Sequence, residues 1–551
     1  MTSQSSALSA FILAVLVAIA VFAVVATTIP GVGLTWDEPA YMGSAQSYGA
    51  WFTIFSRSLT SLRPGDAFGK AVLDQYWQQG ETDLHPPLGK IVPALTWRLF
   101  RDKLGDLTAM RLGNAAIFAA LVGLVCLMGT QLSGAAAGLF AAASLTLMPR
   151  MFFHAHVTAL DIPVAFAWLL TVWVFWHWTL APRPRLLPWL LVLALAYGLA
   201  LGTKNTSFIL PGVLLVWGLL FRRTRQAFML LIGMVVLGGV VFVVTWPSLY
   251  RDLPGQLSQY LQRVTVGHWD IPQYYLGTLY TRTPWHYPFV ITLAVVPSTT
   301  LAMALLGAGR ILAHGRGDPS GWLVLLNVVL PLAFFAVVSS QAYGGERLFI
   351  AVFPFLALLA GISFDGIWEA RHGVAARLRI WSATQPALIQ LQSTRRRRSG
   401  WRWAAAITLF MLLLTPGALG IIRMHPYELS YFSEAMGGLQ GAQRLGLEVT
   451  YWCETYRAAL PFLNSVPEQA ASVWTEEDGV LYWYQKAGML RQDIQVGGRV
   501  VQAGPLAATY ALIQNRPSGF TAEVQTILRD RQPEFVVSHD GVPLAYVFKI
   551  Q

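Results

Sequence analysis

Charge is scarce in this chain. Of its 551 residues only 12% are Asp, Glu, Lys or Arg, while 55% are hydrophobic. An ordinary soluble domain carries about 25% charged residues, so the composition argues against a water-soluble enzyme. Cysteine is nearly absent. Cys126 lies inside an apolar run and Cys453 far outside it, which argues against a disulfide between them. No repeat stands out, and the only low-complexity tract is a run of four arginines, Arg395 to Arg398. No Lys or Arg precedes the first apolar run at residues 8–27, and no clean small-residue cleavage site follows it. These absences speak against a secretory signal and for a retained first helix.

What the chain has is apolar length. About eleven runs approach the ~20 residues needed to cross a bilayer. They lie near 8–27, 109–130, 134–149, 161–180, 187–203, 206–221, 227–246, 288–308, 320–339, 347–367 and 402–422. The expected fold class is a polytopic α-helical membrane protein. A net charge of +11 would suit nucleic acid in a soluble protein. Here the arginines gather in alternate loops instead: Arg183 and Arg185; Arg222, Arg223 and Arg225; Arg310 and Arg316; then Arg371, Arg377, Arg379 and the run at 395–398. That is the positive-inside pattern, and no nucleic-acid partner is expected. The arginine run reads as a stop-transfer signal, with acidic lipid as the alternative ligand. The N-terminus is then cytoplasmic, and the tail after Arg423 is extracytoplasmic, in a bacterial-type inner membrane.

This assignment puts the loop 28–108 and the turns at 150–160, Lys204, 247–287 and 340–346 on the same outer face as the tail. Residues 39–55 and 88–103 read as amphipathic helices lying in the interface. Residues 1–423 form the expected membrane domain. Residues 424–551 form an expected small α/β domain, with a helix over 440–465 and short alternating runs at 471–474, 480–484 and 535–538.

The chemistry concentrates in the first long loop, from Trp36-Asp37-Glu38 to Asp83-Leu84-His85-Pro86-Pro87-Leu88-Gly89-Lys90. Adjacent carboxylates beside a membrane are costly unless used. One can serve as general base or metal ligand while its neighbour tunes it. The paired prolines hold the backbone rigid and can open a helix, which would fix Asp83 and His85 at the membrane surface. Further candidates are His154 and His156, Asp161 at a helix start, Lys204, and Arg347, whose charge on the outer face runs against the positive-inside rule. Each also has a plainer reading: interfacial histidines, an N-cap, a snorkelling lysine. His268 and Asp270 sit in an aromatic outer loop and are candidates for lining a groove.

The spacing of the Asp-Glu pair from the D-x-HPPLGK stretch resembles the protein O-mannosyltransferases. It is also similar to the bacterial lipid-linked sugar transferases, including the aminoarabinose transferases, all of the C-type glycosyltransferase (GT-C) fold. Asp161-Ile162-Pro163, Gly198-Leu-Ala-Leu-Gly202-Thr203-Lys204, Gly345-Glu346-Arg347 and His425-Pro426-Tyr427 extend the resemblance. Asn205 departs from the glycine often found there, and the tail lacks a β-trefoil repeat.

The resemblance implies a sugar donor on a polyprenyl phosphate and an acceptor hydroxyl on a protein, lipid or glycan, with membrane lipids around the enzyme. Asp37 is the expected base, with Glu38 and Asp161 also in the catalytic set. Asp83, His85, Lys204, Arg347, His154 and His156 are the expected substrate-binding residues, Lys204 and Arg347 on the donor phosphate. Asp37, Glu38, His85 and Asp161 could together hold Mg²⁺, Mn²⁺ or Zn²⁺. A transporter would also suit many helices and buried charge. Charges confined to one face, without a repeat, favour the transferase.

Overall fold

The computed structural model describes residues 2–77, 85–181, 185–265, 271–338, 344–383 and 392–551. Asp83, Arg183, His268 and Asp270 therefore lie outside the described residues, and so do the side chains of the run at 395–398.

The apolar runs are helical over their described residues. Among the described residues seven helices are long and apolar enough by length and composition, or eight if the bent pair Ala135–Thr146 and Pro149–His156 makes one span. Leu186–Leu201 and Asn205–Phe221 are shorter apolar helices. The run at 288–308 is divided at Pro297 into Tyr287–Val295 and Ser298–His314, because proline cannot supply the amide that would continue the first helix. The helices expected over 39–55 and 88–103 are present as Glu38–Thr60 and as the start of Leu88–Ser133. The latter breaks at Gly105, whose φ of 73° is a conformation glycine adopts without a Cβ clash.

Leu88–Ser133 is the central helix. It packs against Thr2–Thr28, Glu38–Thr60, Ala135–Thr146 and Asp161–Leu180. Between apolar helices in lipid, close approach supplies the attraction that water supplies elsewhere. Gly198 and Gly238 illustrate it. A Cβ on Gly198 would come within 2.4 Å of Val241, and one on Gly238 within 2.6 Å of Tyr197. The pair brings Leu186–Leu201 and Arg225–Val244 together and so aims Lys204, just past the first helix, into the bundle.

Chain direction sorts the charges. Arg185, Arg222, Arg223, Arg225, Arg310 and Arg316 fall at one set of helix ends. Asp37, His154, Asp161, Lys204 and Arg347 fall at the other set.

After Met424 the chain builds a four-stranded sheet. Val473–Thr475 pairs in parallel with Tyr510–Gln514, which pairs antiparallel with Val542–Lys549, and that strand pairs with Phe535–His539. Asp540-Gly541, both at positive φ, make the tight turn expected of this dipeptide. Two readings of the tail are corrected. Residues 480–484 lie in the helix Asp478–Lys486, where Val480, Leu481 and Tyr484 share the buried face. The helix expected over 440–465 is two, Gly438–Arg444 and Tyr456–Ser465. Gly446 at φ 68° ends the first, and a Cβ there would lie 2.2 Å from the Gly277 amide. The intervening loop 447–455 runs back against the membrane part. Cys126 and Cys453 are both free and buried.

That loop buries Glu454, with one oxygen accepting from Thr450 at 2.6 Å and the other unpartnered among the described residues. Burial pushes its carboxyl from the ordinary 4.5 up to about 7. A raised acid pKa means the folded state binds the proton more tightly. The stability it contributes is present below the unfolded value and is lost as pH rises through about 7. Thermal unfolding of the purified protein is therefore expected to start lower at pH 8 than at pH 5. Glu454→Gln should flatten that dependence, and an unchanged slope in the variant would refute the assignment.

Candidate active site

Four separate segments meet at one end of the bundle. Asp37 sits at the N-terminal edge of Glu38–Thr60, and Asp161 is the first residue of Asp161–Leu180. Lys204 lies in the link after Leu186–Leu201, and Arg347 in the turn before the helix that begins at Phe353.

Arg347 stands between the two carboxylates. Its Nη2 donates to Asp37 Oδ2 and its Nε to Asp161 Oδ2 at 3.2 Å. Lys204 Nζ donates to Asp161 Oδ1 at 2.6 Å and to the Arg347 carbonyl at 3.2 Å. Asp161 is therefore not a plain helix cap: no side-chain cap bond forms at that helix start, and both oxygens serve the cations. Nor does Lys204 snorkel, for it is buried against the acid. Exposure is uneven. The Asp37 side chain is 25% exposed, against 1% for Asp161 and 8% for Arg347.

A second layer backs this chain of charges. His154 Nδ1 lies 3.5 Å from Asp161 Oδ2, and its Nε2 lies 3.3 Å from Glu346 Oε1. Glu346 Oε2 accepts from Arg150 Nη1 at 2.6 Å, and Arg150 Nε donates to the Tyr431 carbonyl at 3.1 Å. Each buried charge thus has an opposite partner, without which burial would be prohibitive.

Trp452, which the sequence alone does not single out, closes the cluster from the C-terminal region. Its Nε1 donates to Asp37 Oδ2 at 3.1 Å, and its ring lies 3.8 Å beneath the Arg347 guanidinium. That stack is a cation–π contact. The Trp36 amide donates to the Trp452 carbonyl at 3.1 Å, tying the same loop to the residue beside Asp37. Arg150 and Glu346 were also missed. The one available hint for Trp452 was a tryptophan in a polar stretch beyond the last apolar run.

Other expected site residues go elsewhere. Glu38 is fully buried and receives Arg111 Nε at 2.8 Å, Arg111 Nη2 at 2.6 Å, the Thr158 amide at 2.8 Å and the Thr35 amide at 3.0 Å. Arg111 also donates to the Val32 and Gly33 carbonyls. This pair pins the loop 32–38 onto the central helix and onto the turn before Asp161. His156 bonds Thr28 Oγ1 at 2.7 Å and the Phe152 carbonyl at 2.6 Å. It locks its own helix to the end of Thr2–Thr28. His85 packs edge-on to Tyr41 at 6.1 Å, and its carbonyl accepts from Lys90 Nζ at 3.1 Å.

The four candidate metal ligands, Asp37, Glu38, His85 and Asp161, are engaged separately. Among the described residues no group of three or more His, Cys, Asp or Glu is arranged to hold an ion. Asp37 and Asp161 face Arg347 and Lys204, and Glu38 is held by Arg111.

Comparison with known proteins bears on the fold. The family model described as dolichyl-phosphate-mannose-protein mannosyltransferase matches residues 84–250. No curated protein sequence matches the chain. Among solved structures, ArnT from Cupriavidus metallidurans in the apo state is similar at a TM-score of 0.51 and 17% identity over 98% of each chain. The same protein bound to undecaprenyl phosphate gives 0.51 and 17% over 97% of each. The chain thus has the GT-C fold that its motifs resemble.

The two neighbouring carboxylates should separate on mutation. Glu38→Ala leaves Arg111 buried and unpaired, a loss of roughly 3–5 kcal/mol, read as a lower unfolding temperature. Asp37→Asn should leave that temperature within a degree or two of the parent, since its carboxylate is partly exposed. Equal unfolding temperatures for Glu38→Ala and the parent would contradict the anchoring role.

Proposed function

We propose that the chain is an integral-membrane glycosyltransferase that moves a sugar from a polyprenyl-phosphate donor to an acceptor hydroxyl with inversion. The observation that carries this reading is the buried chain Asp37–Arg347–Asp161–Lys204, in which Asp37 alone keeps substantial exposure. A carboxylate open to substrate beside a fixed guanidinium suits displacement at an anomeric carbon whose leaving group is a phosphate. A protein of this fold binds undecaprenyl phosphate, and the matching family model is named for a dolichyl-phosphate-mannose donor. Both support a lipid-phosphate donor, with mannose or another hexose or pentose as the sugar.

In this reading Asp37 takes the proton of the acceptor hydroxyl as its oxygen bonds to C1. The C1–O bond to the phosphate breaks, and the polyprenyl phosphate leaves with the electron pair. One base on one face suffices for inversion, as in inverting glycosidases. Arg347 stabilises the charge growing on the leaving phosphate. Its guanidinium is held in place beforehand by Asp161 and Trp452, so little reorganisation accompanies the reaction. Lys204 neutralises Asp161, which would otherwise hold Arg347 back from the phosphate, and lends positive charge to the same site. His154 acts through Asp161. The reaction side is the extracytoplasmic one, where residues 424–551 form the covering domain.

A transporter is the reading from another class. The joining of acid and base at one end of the bundle, rather than along a path through it, favours the transferase.

The decisive assay uses purified protein with polyprenyl-phosphate mannose and related donors. Asp37→Asn is expected to lower kcat at least 100-fold while expression holds; activity near the parent's would exclude the base assignment. Arg347→Ala should impair donor use more than acceptor use, and Lys204→Ala should do so to a smaller degree. Donor kinetics unchanged in both would reject the phosphate clamp.

A further inference from the structure

Arg516 is buried in the C-terminal region, yet it reaches the residue before Asp37. Its side chain is 8% exposed, and its guanidinium carbon lies 4.3 Å from the centre of the Trp36 ring. That is a cation–π stack. The sheet register brings it there. Thr475 pairs with Leu512 in parallel, so the strands Val473–Thr475 and Tyr510–Gln514 end side by side. Glu476 follows the first strand directly, and Arg516 comes just after the second. Glu476 Oε1 accepts from Arg516 Nη1 at 3.2 Å. A Cβ on Gly519 would lie 2.2 Å from the same oxygen, so glycine lets the carboxylate lie over this turn.

The turn is itself fixed. The Asn515 amide donates to the Leu544 carbonyl at 2.8 Å, and Asn515 Nδ2 donates to the Pro543 carbonyl at 2.7 Å. Arg516 Nε donates to Ser518 Oγ at 3.1 Å. The Ser518 hydroxyl and amide in turn donate to Glu448 Oε1, at 2.5 Å and 3.0 Å. Glu448 belongs to the loop 447–455 that carries Trp452. Arg516 therefore braces that loop as well as the Trp36 ring. Two arginine–tryptophan stacks thus flank Asp37: Arg347 on Trp452, and Arg516 on Trp36. The first bonds the Asp37 carboxylate directly. The second bears on the backbone that carries it, for Trp36 adjoins Asp37 and its amide donates to the Trp452 carbonyl at 3.1 Å.

We propose that Arg516 is a positioning residue for Asp37. It clamps the Trp36 ring, keeps the Trp36 amide on the Trp452 carbonyl, and so fixes the backbone from which the Asp37 carboxylate projects. Precision of this kind matters to a base, since a misplacement of about 1 Å can cost on the order of 100-fold in rate. Arginine suits the task because its planar group covers an indole face while its edge keeps its bonds to Glu476 and Ser518. The C-terminal region then does more than cover the site: its sheet holds the base in place. The catalytic meaning of this role rests on the transferase reading, while the clamp on Trp36 can be measured without turnover.

The test uses the full-length protein purified in detergent, with Arg516→Ala and Arg516→Lys as variants. Hydrogen exchange, read by mass spectrometry on peptides spanning Trp36, should quicken at least tenfold at that amide in Arg516→Ala. In Arg516→Lys, which keeps the charge, it should stay within threefold of the parent. The strand Val542–Lys549 should exchange at the parent rate in both. Unchanged exchange at Trp36, or equal quickening of that strand, overturns the clamp. Transfer assays give the second readout. Arg516→Ala should lose at least tenfold in kcat with donor and acceptor KM within twofold of the parent, and Arg516→Lys should stay within threefold in kcat. A parental kcat in Arg516→Ala, KM values that rise in step with the fall in kcat, or a loss that lysine does not relieve each overturns the positioning role and leaves the transferase standing. If Arg516→Ala does not fold, Arg516→Gln takes its place with the same expectations. A parent that transfers nothing rejects the transferase, and exchange at Trp36 then decides the clamp alone.

Discussion

One guanidinium held between two carboxylates is the constraint on which the rest depends. Arg347 bonds Asp37 on one side and Asp161 on the other, and neither acid is near it in sequence. Burying these charges is expensive, and breaking one partnership leaves a neighbour uncompensated. The buried part of the arrangement, Asp161 with Lys204 and Arg347, is therefore stable only when complete. That requirement explains the surrounding architecture: Lys204 must arrive on a helix pulled close by Gly198 and Gly238, and the Glu346–Arg150 pair must back His154. In the proposed transfer, the same low-dielectric setting that makes an incomplete set costly would strengthen its effect on a developing charge.

The carboxylates at positions 37 and 38 divide two tasks between them. Glu38 spends both oxygens on Arg111 and on the amides of Thr35 and Thr158. In doing so it joins the end of the first helix, the central helix and the approach to Asp161. Asp37 is consequently presented on a fixed support with one edge toward solvent. Sites held on rigid supports keep reacting groups within the few tenths of an ångström that catalysis demands.

Much of this was legible in the residues, for physical reasons that differ by element. Apolar runs report helices directly, since a backbone in lipid must satisfy its own hydrogen bonds; all eleven became helices, and the proline at 297 divided one. Charged residues in a poor background announce themselves, which is why Asp37, Asp161, Lys204 and Arg347 could be picked out before their meeting was seen. The fates of Glu38 and His156 were not legible, because motif spacing does not say which partner a side chain finds across the bundle. Trp452 was hidden for the opposite reason. Tryptophan is common in this chain, and only the break at Gly446, forced by contact with Gly277, sends that loop back to the site. The helix at 478–486 was obscured because a five-residue apolar cluster fits a strand or one helical face equally well.

The return of that loop has an effect on how the protein matures. A ribosome makes residue 452 only after every long apolar segment has been synthesised. Until then Asp37 lacks its indole partner and Arg347 lacks the aromatic plane beneath it. A nascent chain already threaded through the bilayer thus has an unfinished charge cluster, which closes only when the last fifth of the polypeptide folds down onto the membrane portion.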